Sequence, residues 1–541
     1  MSETINLLSG LILGILTLAS CASEESVPPN VLLIMVDDMG YSDLGCYGGE
    51  IFTPHLDALA EGGLRFTQFN NTARCWATRA ALITGYYPQQ IGRDNAPGIK
   101  GGAGGKRPDW ADLVPNRLVD AGYRSYHSGK WHIDGMPIEN GFDRSYYLAD
   151  QGRFFSPKKH FLNDQPLAPV KRESGFYATV EITNHAIDQL SEHVQDHPEN
   201  PFFSYVAYTA PHFPLHALQE DIDAVGDRYA EGWDVRRRKR WKRIQELGIA
   251  KGKLSKIEDE IGPPYDFPEA LELLGPGEVN RPVTWETLTP EQQKFQQTKM
   301  TLHAAMIERV DIEIGRIIAL LKTRDVFENT LIVFLSDNGA SAEIMVRSDG
   351  HDPEAIPGSA SSYLCLGPGW SSMCNTPFRR HKTWVHEGGS CTPLIMHWPE
   401  GITARGELRH TYGHVIDIVP TLLELAGSPA DQNIKEALPG KSLTSIFSSD
   451  ANSHRPLWYY HEGNRAVRQG NWKLVADKNG PWELFNLAKD RSESIDLSQN
   501  EPSKVLDLEK KWQGMLDEMR TVAPELEQVK KAPAVTTKEL E

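Results

Sequence analysis

Cysteine is scarce: six in 541 residues are too few for a disulfide scaffold. Positive charge is also in deficit, with 56 Lys and Arg against 73 Asp and Glu and a net charge of −17. The molecule as a whole therefore repels nucleic acid and anionic membrane surfaces, which argues against a general nucleic-acid binder. No repeat of 20–50 residues recurs, and 35 Pro and 45 Gly fall without a period, which excludes solenoids, collagen and coiled coils. Beyond the first 20 residues no run is long and apolar enough to span a bilayer. What is present is a normal aromatic share, 13 Trp included, on a chain too long for one small core. One large domain plus a smaller one is expected.

The single apolar run, residues 7–20 (LLSGLILGILTLAS), has the length of a signal-peptide core and is too short to cross a membrane. Leu18-Ala19-Ser20-Cys21 resembles a bacterial lipoprotein box, and Ala22 after it suits an outer-membrane or surface destination. The resemblance implies a signal peptide over 1–20, a lipid anchor at Cys21 and a periplasmic or cell-surface body. Residues 1–6 contain Glu3 and no Lys or Arg, a departure from the basic start of such signals.

Short apolar runs end in clusters of polar residues. Residues 30–36 (NVLLIMV) run into Asp37-Asp38, 123–128 into Lys130 and His132, 202–209 into His212, and 330–335 (TLIVFL) into Asp337-Asn338. Between them lie helical patterns, notably 300–322, where Met306, Val310, Ile314, Ile317 and Leu321 share a face. Alternating strands and helices predict an α/β fold with a mostly parallel central sheet covered by helices. Ligands of such sheets sit at the carboxyl ends of the strands, where this sequence keeps its Asp, Asn, Lys and His. Residues 27–430 read as the main domain, and 440–525 as a smaller α+β unit with strand-like segments after Pro456 and a helix over 503–520. Residues 526–541 read as a charged tail, and 263–290 as a surface loop. The dense basic run RRRKRWKR, 236–243, reads as the solvated face of an amphipathic helix, with contact to a polyanion as the other reading.

Asp37, Asp38, Asp337 and Asn338 offer three carboxylates and an amide oxygen, hard ligands for Ca²⁺ or Mg²⁺ and unsuited to Zn²⁺. Cys75 precedes a short predicted helix, 77–84, closed by Gly85, with Arg79 on the same turn. A thiol there meets backbone N–H donors, the positive end of the helix dipole and a fixed cation, a setting that activates a thiolate. A free reactive thiol sits oddly in an oxidising compartment.

Cys75-Trp76-Ala77-Thr78-Arg79 with Ala80–Gly85 resembles the signature of formylglycine-dependent sulfatases of the alkaline phosphatase superfamily. Residues 30–48, Gly129–His132, Ala210-Pro211-His212, SDNG at 336–339 and 376–399 extend the resemblance over nearly the whole mature chain. It implies an alkaline phosphatase-like fold and hydrolysis of sulfate esters, with Cys75 oxidised to Cα-formylglycine by a maturase. It further implies Asp37, Asp38, Asp337 and Asn338 as Ca²⁺ ligands, the modified Cys75 beside the metal, and Arg79, Lys130, His132, His212 and Lys382 lining a sulfate pocket. An aldehyde hydrate supplies one hydroxyl to attack sulfur and a second whose deprotonation expels sulfate, which a serine or cysteine lacks. Ala77 stands where the commoner signature has proline, a variant that resembles the targets of radical-type anaerobic maturases. The implied substrate is a sulfated carbohydrate. Two other readings remain at this stage: a phosphoester or phosphonate hydrolase of the same superfamily, and a glycan-binding lipoprotein with unmodified Cys75. His386 and Glu387 are open between pocket wall and structural bonding, and Cys46, Cys365, Cys374 and Cys391 are available for disulfides.

Overall fold

The computed structural model describes residues 28–428 and 436–523. The lipoprotein box with Cys21 and the tail at 526–541 lie outside the described residues.

Eleven strands form the main sheet: β1 (Asn30–Val36), β2 (Leu64–Asn70), β3 (Arg124–Gly129), β4 (Arg144–Leu148), β5 (His160–Leu162), β6 (Gln165–Pro166), β7 (Phe202–Ala207), β8 (Thr330–Ser336), β9 (Cys391–His397), β10 (Glu407–Arg409) and β11 (Gly413–His414). Their order is β10-β2-β9-β8-β1-β7-β3-β4-β5-β6, with β11 also on β2. The central five, β8-β1-β7-β3-β4, are all parallel, while β9 runs antiparallel to both neighbours. β1 shows why its sequence is an unbroken apolar run. Leu32, Ile34 and Val36 enter the core on one face, and Val31, Leu33 and Met35 enter the core on the other.

The first face is covered by helices Ala178–Asp196 and Pro290–Thr323, the second by Cys75–Thr84 and Ile418–Leu425, while helix Pro502–Val522 stacks Trp512 on Trp458 beyond the main sheet. The Pro290–Thr323 helix begins ten residues before the apolar repeat that predicted it. Its start is polar: Thr289 accepts from the Gln292 amide at 3.2 Å, and the Gln292 side chain accepts from the Thr289 amide at 3.0 Å. A second, antiparallel sheet follows, β12 (Pro456–His461), β13 (Asn464–Gln469), β14 (Trp472–Ala476) and β15 (Glu483–Asn486).

Three expectations need correction. The basic run lies on helix Gly232–Glu246, but it is not wholly solvated. Arg240 is buried, 2.7 Å from Asp43 and bidentate to Glu50 at 2.9 and 2.7 Å, and buried Arg237 donates to Ser255 and to the Ser372 carbonyl. Only Arg238, Lys239, Lys242 and Arg243 remain on the exposed face. The segment 263–290 contains helix Pro268–Leu274 and a buried Trp285, which packs edge-on against Trp233 at 4.8 Å. Cys46, Cys365, Cys374 and Cys391 are all free thiols, each far enough inside the packing to behave as a small apolar residue.

Candidate active site

The parallel register of β1 on β8 places Val36 opposite Ser336, so Asp37-Asp38 and Asp337-Asn338 leave the sheet side by side. The amides of Asp337 and Asp37 bond to Val36 and Ala210 carbonyls at 3.1 and 3.0 Å. One strand over, Gly129 of β3 pairs with Ala207 of β7, and the Lys130 amide donates to the Ala207 carbonyl at 2.7 Å. Four adjacent strand ends thus deliver Asp337, Asp37, His212 and Lys130 to one place. Gly339 is required behind them, because a Cβ there would lie 1.9 Å from the Gly388 carbonyl. Asp38 and His132 both hold left-handed backbone, with φ of 68° and 60°, as strained residues at functional sites do.

Cys75 is the first residue of helix Cys75–Thr84, and Arg79, four residues on, lies on the same face. The Arg79 guanidinium is fully buried; its Nε donates to Asp337 Oδ2 at 2.9 Å, and its Nη2 lies 2.8 Å from the same oxygen and 3.7 Å from Asp37. Lys130 bonds to Asp37 Oδ2. Lys382 Nζ bridges Asp38 Oδ1 at 2.8 Å and Glu343 Oε2 at 3.1 Å. Its loop is pinned by Asn375, whose side chain accepts from the Ala340 amide at 2.9 Å and donates to the Ala340 and Arg380 carbonyls. His212 donates through Nδ1 to its neighbour's carbonyl, and its Nε2 lies 3.7 Å from Asp38.

All ten residues expected at the site are therefore brought into one largely buried cluster. Sequence reasoning missed Glu343, Asn375 and Arg74, the last of which bonds Glu343 at 3.3 Å and Thr383 at 3.1 Å. Arg74 sits beside the signature and was within reach. His386 and Glu387 are resolved as structural: His386 bonds Glu483 at 3.1 Å, and Glu387 pairs with Lys473 and Arg491 at 2.9 and 2.8 Å.

The electrostatics are those of a buried ion cluster. Burial and the Asp37 charge push Asp337 up to about 7. Burial would raise Asp37 too, but the Lys130, Arg79 and Lys382 charges outweigh it and hold that carboxyl far below the usual range. Burial lowers both His132 and His212, so the imidazoles are neutral at neutral pH. Cys75 reverses an expectation: burial pushes its thiol up, against the pull of Lys130 and Lys382, so the plain thiol is not an activated thiolate. Asp37 Oδ1 and Asn338 Oδ1 are buried without a hydrogen-bond partner. Carboxyl oxygens of Asp37 and Asp38 and a His212 nitrogen lie within 4.8 Å of one another. Unpartnered hard oxygens beside clustered carboxylates fit a divalent cation.

The Sulfatase family model matches residues 29–428, and one for the N-sulphoglucosamine sulphohydrolase C-terminal region matches 379–521. The chain is 33% identical over 476 residues to an arylsulfatase of Klebsiella aerogenes, covering 81% of this chain and 95% of that one. It is 26% identical over 545 residues to an N-acetylglucosamine-6-O-sulfatase of Bacteroides thetaiotaomicron, covering 89% and 85%. Its fold is shared with the crystal structure of Ps i-CgsB in complex with k-i-k-neocarrahexaose, at a TM-score of 0.65 and 24% identity over 92% of this chain and 94% of that one. With the family model covering most of the sequence and the strand ends assembling one buried anion-and-cation site, the chain belongs to the sulfatase family and is a sulfuric ester hydrolase.

Proposed function

We propose that this protein is an extracytoplasmic sulfatase that removes sulfate from sulfated carbohydrate, using Ca²⁺ and a Cα-formylglycine made from Cys75. The observation that carries the reading is the pair of unpartnered buried oxygens, Asp37 Oδ1 and Asn338 Oδ1, beside a helix-terminal Cys75 flanked by Lys130 and Lys382. Asp37, Asp38, Asp337 and Asn338 would hold the cation. When present, the cation supplies charge for the sulfate oxygens, and the hydrated aldehyde supplies two hydroxyls for attack and release. The chain's own residues do the rest. Asp38 and Glu343 keep Lys382 charged, well above the usual lysine range despite burial, so it holds an anionic oxygen. His212 holds its Nδ1 proton on the Phe213 carbonyl, which leaves Nε2 as an acceptor, 3.7 Å from Asp38, that must take up a proton before it can protonate the leaving oxygen. His132, neutral and with Nδ1 unpartnered, is the second proton carrier. Carbohydrate is favoured as the substrate by the sugar sulfatases among its relatives, and an outer location by the lipoprotein-like box at Cys21.

The test is sulfate release from aryl sulfates and sulfated oligosaccharides by wild type and Cys75→Ala, with mass analysis of the peptide holding residue 75. Expected are an aldehyde at Cys75, loss of activity in the variant and inhibition by chelators reversed by Ca²⁺. Equal release by both proteins, or a free thiol in the active enzyme, sinks the proposal. Cys21→Ser should move the protein from the membrane to the soluble fraction.

A further inference from the structure

Around the indole of Trp76, one residue past Cys75, three buried ring nitrogens have no hydrogen-bond partner: Nε1 of Trp76, Nδ1 of His132 and Nε2 of His461. The two imidazoles meet the indole edge-on, at centroid distances of 5.9 and 5.5 Å. A buried polar atom left unsatisfied is destabilising, because it has given up its water without gaining a partner. Three around one ring, next to Cys75 in the chain, call for a ligand that brings hydroxyl groups.

The neighbouring groups define that ligand further. His461 ends β12, and its Nδ1 lies 2.9 Å from Asp94, which directs Nε2 the other way; a Glu462 oxygen is 3.8 Å from Nε2. Glu462 and Gly463, with φ of 48° and 95°, make the two-residue turn from β12 to β13. The turn carries the Glu462 carboxylate to the Tyr265 hydroxyl, which donates to its two oxygens at 3.1 and 3.0 Å. Arg74 lies over Trp76 at 4.5 Å and over Tyr265 at 5.5 Å, and is paired with Glu343, which it shares with Lys382. The wall therefore offers aromatic faces for C–H bonds, ring nitrogens and a carboxylate for hydroxyls, and a negative charge against any second anion.

We propose that Trp76, Tyr265, His461 and Glu462 form the subsite for the sugar ring bearing the sulfate ester, and that it takes a ring with free hydroxyls and no second anionic group. This inference rests on the reading of the protein as a carbohydrate sulfatase. Two of the four residues come from the second sheet, which becomes a specificity element of the active site.

The experiment compares kcat/KM for an aryl sulfate, a monosulfated hexose and a disulfated hexose in the mature enzyme, its Glu462→Gln and its Trp76→Ala variants, each checked for an unchanged melting temperature. Glu462→Gln should lower kcat/KM for the monosulfated sugar about tenfold more than for the aryl sulfate, mainly through KM. It should also narrow the preference for the monosulfated over the disulfated sugar. Equal losses on aryl and sugar substrates in both variants, or a wild-type preference for the disulfated sugar, overturn the subsite. A wild type that cleaves aryl sulfate and no sugar sulfate overturns the carbohydrate reading instead.

Discussion

Glu343 shows what a single residue gains from its surroundings. In the sequence it is one carboxylate in an unremarkable SAEIM stretch, with no partner at any recognisable spacing. Folded, it is buried between Lys382 and Arg74 and also accepts from Ser341 at 2.8 Å. Burial opposes its charge, but Lys382 and Arg74 win and keep it ionised. It acts through Lys382, so it is a positioning residue. Glu343→Gln keeps the shape and removes the charge, and kcat for an aryl sulfate should fall about tenfold from the misplaced ammonium. A kcat equal to wild type would remove Glu343 from the account. Cys75 teaches the converse. Helix terminus and cations were legible at the signature, but the burial that dominates its thiol was not, because it depends on segments hundreds of residues away.

Helices and strands were legible where the apolar pattern is continuous. The β1 and β8 expectations match the observed strands to within a residue, since strands buried on both faces are apolar at every position. The Pro290–Thr323 helix was cut short because its first ten residues do not follow the apolar repeat. This helix also fixes another. Asp311 accepts from the amides of His55 and Leu56 at 3.1 and 2.8 Å, and so caps helix Pro54–Glu61 from outside. Burial pushes Asp311 up to about 7 from 3.8. A folded value above the unfolded one means that its contribution is complete below about pH 4 and is lost as pH rises to 7. Asp311→Asn should therefore flatten the fall in stability over that interval, measured by urea unfolding at successive pH values. A wild-type slope retained in the variant would assign the titration to another group.

At the scale of the whole molecule, the second sheet is fastened to the first through buried charge. Lys473 of β14 lies 2.9 Å from both Glu387 and Glu493, and Arg491 completes the network at 2.8 Å from Glu387. Lys473→Met would strand the buried Glu493 carboxylate and leave Glu387 to Arg491 alone, and stability should fall by about 3–5 kcal/mol in chemical denaturation. An unchanged midpoint would show that apolar packing alone holds the two sheets together. The sequence by itself determined the α/β class, the apolar strands and the local signature around Cys75, because these depend on residue type and short spacing. It also placed Asp37, Asp38, Lys130, His132, His212, Asp337, Asn338 and Lys382 at strand ends or in loops that converge. Only the tertiary structure decided that Arg240 is a buried strut, that Glu387 is a fastener, that Glu343 holds Lys382, and that Glu462 meets Tyr265. The energies of these groups come from burial and from partners up to several hundred residues distant, and no local pattern encodes either.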